Sequence, residues 1–168
     1  MNDSYCEVLV KREHRSTDTL IKIGMCAVTV LMFLAGLIVN SLLWILAIAM
    51  VAACYFIFPR TDVEYEYLFV NGELDIDAIF SKAKRKKVIS LSMNDVEIVA
   101  LTTGHRLDYY HNNPKIKVKD FSSGNNEHKR ISLIVRSKEE INEVILEADE
   151  YLCELMKKNS PSKVFLND

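Results

Sequence analysis

The chain has 168 residues, with 21 basic and 23 acidic side chains and a formal net charge of −2. That balance excludes a general nucleic-acid binder, which needs a basic surface. Its mean hydropathy is near zero because a very apolar third is averaged with a polar remainder.

Residues 1–18 form an N-terminal arm of mixed charge, with Asp3, Glu7, Glu13 and Asp18 beside Lys11, Arg12 and Arg15. From Ile23 to Phe58 no charged residue occurs. One membrane span needs roughly 20 apolar residues, so this run is too long for one and right for two. Asn40-Ser41 is its only adjacent polar pair. The expected spans are therefore 19–39 and 41–58, a transmembrane hairpin over 19–58. No A-x-A-like site follows the apolar stretch, which argues against a cleaved signal. Lys11, Arg12, Arg15 and Lys22 flank the first span, and Arg60 with Lys82–Lys87 follows the second, while the turn has no Lys or Arg. The positive-inside rule then puts both termini in the cytoplasm and the turn outside, as a multi-pass cell-membrane protein. Trp44 and the Tyr55–Phe58 group suit interfacial aromatic belts. Ala49-x-x-x-Ala53 is a small-residue pattern that lets helices approach, as a homo-oligomer face or within the hairpin. No ionisable residue lies inside the spans, which argues against an ion pathway.

Residues 61–158 carry the pattern of one compact domain. VEYEYLFV and ELDIDAIF alternate on either side of Asn71-Gly72, the strongest short signal for a hairpin with a type I′ turn. This register places Val63, Tyr65, Tyr67, Phe69, Leu74, Ile76, Ala78 and Phe80 on one face. Further strands are expected at Lys87–Met93, Val96–Leu101, Lys115–Phe121 and Lys129–Arg136, with a weaker one at Arg106–Tyr110. Ser137-Lys138-Glu139-Glu140 fits a capping box. Ile141, Val144, Ile145, Ala148, Leu152 and Leu155 then follow helical spacing, which predicts an amphipathic helix over Lys138–Lys157. Residues 159–168 read as a flexible tail.

The expected fold class is thus a membrane α-helical hairpin plus an α+β domain, an antiparallel sheet or barrel of about seven strands closed by one C-terminal helix. That layout resembles PH-like domains. The segment YEYLFVNGELDIDAIFSKAKRKKVISL is similar to the opening of bacterial PH-like domains that follow paired membrane helices. FPRTDVEYEYLFVNGELDIDAIFSKAKRKKV, with the later KVKDFSSG, resembles an uncharacterised family of small two-helix membrane proteins of Gram-positive bacteria. The resemblance implies lipid, peptide or protein binding as the range of functions, and no particular activity.

Two constellations stand out. Lys82, Lys84, Arg85, Lys86 and Lys87 follow a strand that returns toward the membrane end of the domain, where anionic lipids attract each cation by roughly 1 kcal/mol. The plain alternative is a solvated loop that sets topology. Glu64, Glu66, Asp75 and Asp77 share one hairpin face, and Glu66 falls opposite Asp77, which needs a neighbouring cation. Lys115, Lys117 and Lys119 are the candidates to supply it. An acid–base pair or cation site is the alternative reading. The serines of Asp120–Gly124 lack a nucleophile-elbow pattern. Cys6, Cys26, Cys54 and Cys153 and the four histidines have no metal-ligand spacing. No catalytic, cofactor or metal residues are expected. The function expected is a non-enzymatic, membrane-anchored interaction module that meets a protein partner or an anionic lipid surface. The alternative is a small accessory subunit of a larger membrane complex, working through its helices.

Overall fold

A computed structural model describes residues 5–13, 16–137, 140–147 and 149–166. They divide into two compact units. One comprises His14–Val63 with Phe80–Lys84, and the other comprises Met1–Glu13, Glu64–Ile79 and Arg85–Asp168.

The first unit is a helical hairpin. Helices α1 (Ser16–Ile38) and α2 (Leu43–Thr61) are both long and apolar enough to cross a membrane. The connection between them contains the polar pair Asn40-Ser41. Asn40 Oδ1 accepts from the Leu42 N–H at 2.9 Å, a local bond that competes with helix and ends it. Gly36 lies against the Trp44 indole, so closely that a Cβ there would collide with the ring. Trp44 also stacks on Phe33, with centroids 5.9 Å apart and planes 11° from parallel. Ala47 is the buried small residue of α2, whereas Ala49 is exposed and Ala53 half-exposed.

The second unit is built of two sheets. The first has the order β1-β2-β3-β4, from Tyr5–Lys11, Val63–Val70, Glu73–Phe80 and Lys84–Ser92. The second has the order β6-β8-β7-β5-β9, from Lys117–Asp120, Glu140–Glu147, Arg130–Ser137, Val96–Leu101 and Val164–Phe165. Among the described residues, nine strands in two sheets thus replace the expected sheet or barrel of about seven. The β2–β3 hairpin turns at Asn71-Gly72, whose φ values of 49° and 90° are those a type I′ turn demands. Gly72 is needed twice, since a Cβ would also press on the Asn159 side chain.

Three differences from the sequence expectation matter. The N-terminal arm contains a strand, β1, antiparallel to β2 over its whole length, from Tyr5 opposite Val70 to Lys11 opposite Glu64. The expected long helix begins only at Glu150, as α4 (Glu150–Asn159), while Glu140–Glu147 is the strand β8. Lys138 and Glu139 of the expected capping box, and Ala148 of the expected helical stripe, lie outside the described residues. The true cap is Asp149, which accepts from the Leu152 N–H at 2.9 Å. β8 lies between β6 and β7, and Glu143, Val144, Ile145 and Leu146 are buried in succession. Such a run has no strand period, so a helical reading of it fits as well. Arg106–Tyr110 is helical rather than extended, a 3-10 turn at His105–Leu107 running into α3 (Asp108–His111). Its single buried side chain, Leu107, joins Ala100 and Ile134 in a second small cluster.

The main core is continuous. Tyr67, Phe69, Leu74 and Ile76 of the first sheet join Ile131, Leu133, Val144 and Leu146 of the second, with Leu152 and Met156 of α4. Cys6 and Val10 of β1 belong to it. The buried Tyr67 hydroxyl donates to the Phe121 carbonyl at 2.6 Å, so its polar tip is satisfied. Residues after α4 are held too: β9 runs parallel to β5, and Lys163 Nζ donates to the carbonyls of Met93 and Asn94.

Candidate functional site

The basic run does not act as one group. Arg85 Nη2 meets Glu66 Oε1 at 2.6 Å, and its Nε lies 3.9 Å from Asp77 Oδ2. Lys87 Nζ meets Asp75 Oδ2 at 2.7 Å, and the Ser90 hydroxyl donates to the other Asp75 oxygen. These bonds to Lys87 and then to Ser90 hold the Asp75 carboxyl below its usual range. Two of the five cations therefore answer the carboxylate face of the first hairpin. Glu66 is almost fully buried, so its charge requires this partner. Lys115, Lys117 and Lys119 do not supply it. They lie on or beside β6 in the other sheet, where Lys117 pairs with Glu140 at 2.8 Å.

The other three cations differ. Lys82, Lys84 and Lys86 are exposed and have no ion-pair partner among the described residues. Their turn is unusual. Ser81 and Lys82 both take positive φ, 46° and 56°, and the Ala83 N–H donates to the Phe80 carbonyl at 3.0 Å. A type I′ turn without Gly or Asn costs on the order of 1–2 kcal/mol per left-handed residue. The Ser81 N–H donates to the Asp62 carbonyl at 2.8 Å, immediately after the end of α2. Ser81 and Asp62 share a wide cavity with Lys22, Tyr55, Phe58 and Pro59 of the two helices. Within the helical unit, then, the start of the basic run is bonded to the end of the second span-length helix.

Ser123, His128 and Glu147 come close together, a set the sequence did not single out. Ser123 Oγ lies 3.4 Å and Glu147 Oε1 2.5 Å from His128, but both face the same ring nitrogen, Nδ1. A nucleophile relay needs one partner at each ring nitrogen. Glu147 also accepts from the Ser123 N–H at 3.1 Å, and the Ser123 hydroxyl accepts from the Asn125 N–H at 3.2 Å. The cluster fastens a loop. A similar pair, His111 Nε2 with the buried Glu143 at 3.1 Å, fastens α3 to β8.

Two sheets with one C-terminal helix, in a chain that also has two helices long and apolar enough to cross a membrane, fit a PH-like module. The chain belongs to the bacterial PH-like domain family DUF6106, whose model matches residues 2–166 and so covers the arm, the helices and the domain alike. Neither a curated protein nor a solved structure matches the chain.

Proposed function

We propose that the chain is a non-enzymatic, membrane-anchored PH-like module whose exposed lysines meet anionic lipid head groups at the inner face of the cell membrane. The observation that carries this reading is the Ser81–Asp62 hydrogen bond at the end of α2. Once α2 spans a bilayer, that bond brings the first lysines of the run to the interface. Lys82, Lys84 and Lys86 are the working cations, because Arg85 and Lys87 already neutralise carboxylates. Each lysine near an anionic surface contributes about 1 kcal/mol, and the effect fades within about one Debye length of ~8 Å. A strand rises ~3.3 Å per residue, so the effect should fall from Lys82 to Lys84 to Lys86.

Lysine acetylation footprinting of the full chain in nanodiscs tests this. In discs rich in phosphatidylglycerol, modification of Lys82 and Lys84 should slow several-fold relative to phosphatidylcholine discs, with Lys86 less affected and Lys117 unchanged. Half-molar salt should erase the difference. Equal rates in both lipids would sink the lipid reading and leave the accessory-subunit reading, in which the helices do the work.

A further inference from the structure

Among the described residues, four strands end the two sheets, and three of them are guarded. β4 begins Lys-Arg-Lys-Lys, β6 is four residues long with Lys117 and Lys119, and β9 has only two residues. Short length and lysines are how natural sheets prevent further strand pairing. Among the described residues β1 lacks both guards, although α4 packs against part of it. It has seven residues, with valines at 8 and 10 and its only lysine at the last position.

Its open side is not simply solvent. Val8, Leu9, Val10 and Lys11 line a cavity of about 400 Å³, faced by Ser123, His128, Glu147 and Asp149, with Glu13 at its end. Glu13 closes that end. Its N–H donates to the Ser123 carbonyl at 2.8 Å, and its carboxylate accepts from Asn125 at 2.8 Å. Val8–Lys11, in which Leu9 and Lys11 are exposed and Val10 is buried, amount to roughly 13 Å of strand. The volume lies within the ~300–1,000 Å³ usual for binding cavities. The walls carry three carboxylates, Glu13, Glu147 and Asp149, against Lys11 and His128. Each carboxylate already accepts bonds from the protein. A carboxylate offers about four lone-pair sites, so each can accept again.

We propose that the open edge of β1 and this cavity take an extended peptide of a partner protein, which adds a short strand beside Val8–Lys11 and directs a lysine or arginine at the carboxylates. Backbone bonds to the edge supply affinity that tolerates many sequences, and the acidic wall selects the basic side chain. The site is independent of Lys82, Lys84 and Lys86.

The test uses the full chain in phosphatidylcholine discs and a fluorescent pentapeptide pool, X-Val-Lys-Val-X, with matched pools carrying Glu or N-methylated valines. Anisotropy should show the Lys pool binding at least tenfold more tightly than the Glu pool, and the N-methylated pool not binding. Hydrogen–deuterium exchange should show slowed amides within Tyr5–Lys11 when the Lys pool is present. The Glu13→Gln/Asp149→Asn double variant keeps both local hydrogen bonds, since Asn caps helices as well as Asp. It should reduce the Lys-over-Glu preference to under threefold. Equal binding of the Lys and Glu pools, an unchanged preference in the double variant, or protection elsewhere with β1 unaltered would overturn the proposal. So would no binding at millimolar peptide. Protection of β1 by crowding the protein without peptide would assign the edge to a second copy and overturn it equally.

Discussion

The β1–β2 pairing predicts a way to free the sheet domain from its helices that the chain order conceals. Lys11 faces Glu64 across the pair, so Arg12 and Val63 are the next positions on the two strands. A two-residue Asn-Gly link between Arg12 and Val63 would close them as an ordinary type I′ hairpin. A chain made of residues 1–12, Asn-Gly and 63–168 should therefore be soluble and fold cooperatively without the helices. The comparison is residues 63–168 alone, which lack β1. That fragment loses the burial of Cys6 and Val10, which are 5% and 6% exposed. Each such side chain is worth about 1.5–3 kcal/mol. The ladder hydrogen bonds, about 0.5–1.5 kcal/mol each net, are largely offset by the ~1–2 kcal/mol needed to order each residue. The expected loss is about 3–6 kcal/mol, a large part of a domain stability of ~5–15 kcal/mol. With a urea slope of about 2 kcal/mol per molar, the midpoint should fall by roughly 2 M. Urea titrations followed by circular dichroism decide it. Equal midpoints for the two chains would show that β1 is dispensable and that its burial is not energetic.

Arg85→Ala leaves the buried Glu66 facing Asp77 without a cation and should cost about 1–3 kcal/mol, the Arg being half exposed and its pair discounted accordingly. Lys86→Ala should stay within about 0.5 kcal/mol, and equal effects on thermal unfolding would show that the pairing is incidental. Gly36→Ala should force Trp44 off Phe33 and loosen the hairpin. Since Trp44 is the chain's one tryptophan, its emission in detergent should shift, and an unchanged spectrum would contradict the close approach.

Legibility in the sequence follows the clarity of local periodicity. The helices are readable because an uncharged run of that length has few alternatives, and the Asn40-Ser41 break is the only place for a turn. The first hairpin is readable because alternation and Asn-Gly agree on one register. The β8 segment misleads because a strand covered on both faces loses its period of two. Ile141, Val144 and Ile145 fit a helix stripe equally well, although β-branched residues lean toward strand. Asp149, further along the chain, is as good an N-cap as Ser137 and is the signal that corrects the helix start. β1 is hidden by its charged neighbours. YCEVLVK alternates, but within an arm of mixed charge it reads as a membrane flank. The division of the basic run is not legible at all. Which cations face Glu66 and Asp75 depends on how β4 registers on β3, and only the fold determines that.

The same strand pairing bears on topology. A β-sheet cannot straddle a bilayer, because its backbone groups would lie unpaired in hydrocarbon unless the sheet closed as a barrel. β1 precedes α1 and β2 follows α2, and they are hydrogen-bonded neighbours in one sheet. If α1 crosses a membrane, α2 must therefore bring the chain back, and the two flanks share a side. A single crossing, with the arm and the domain on opposite faces, would tear β1 from β2 and expose Cys6 and Val10. The Lys and Arg flanks then have only one thing left to decide, which is the side. Charges on both flanks act in the same direction there, because moving either across would carry the other with it.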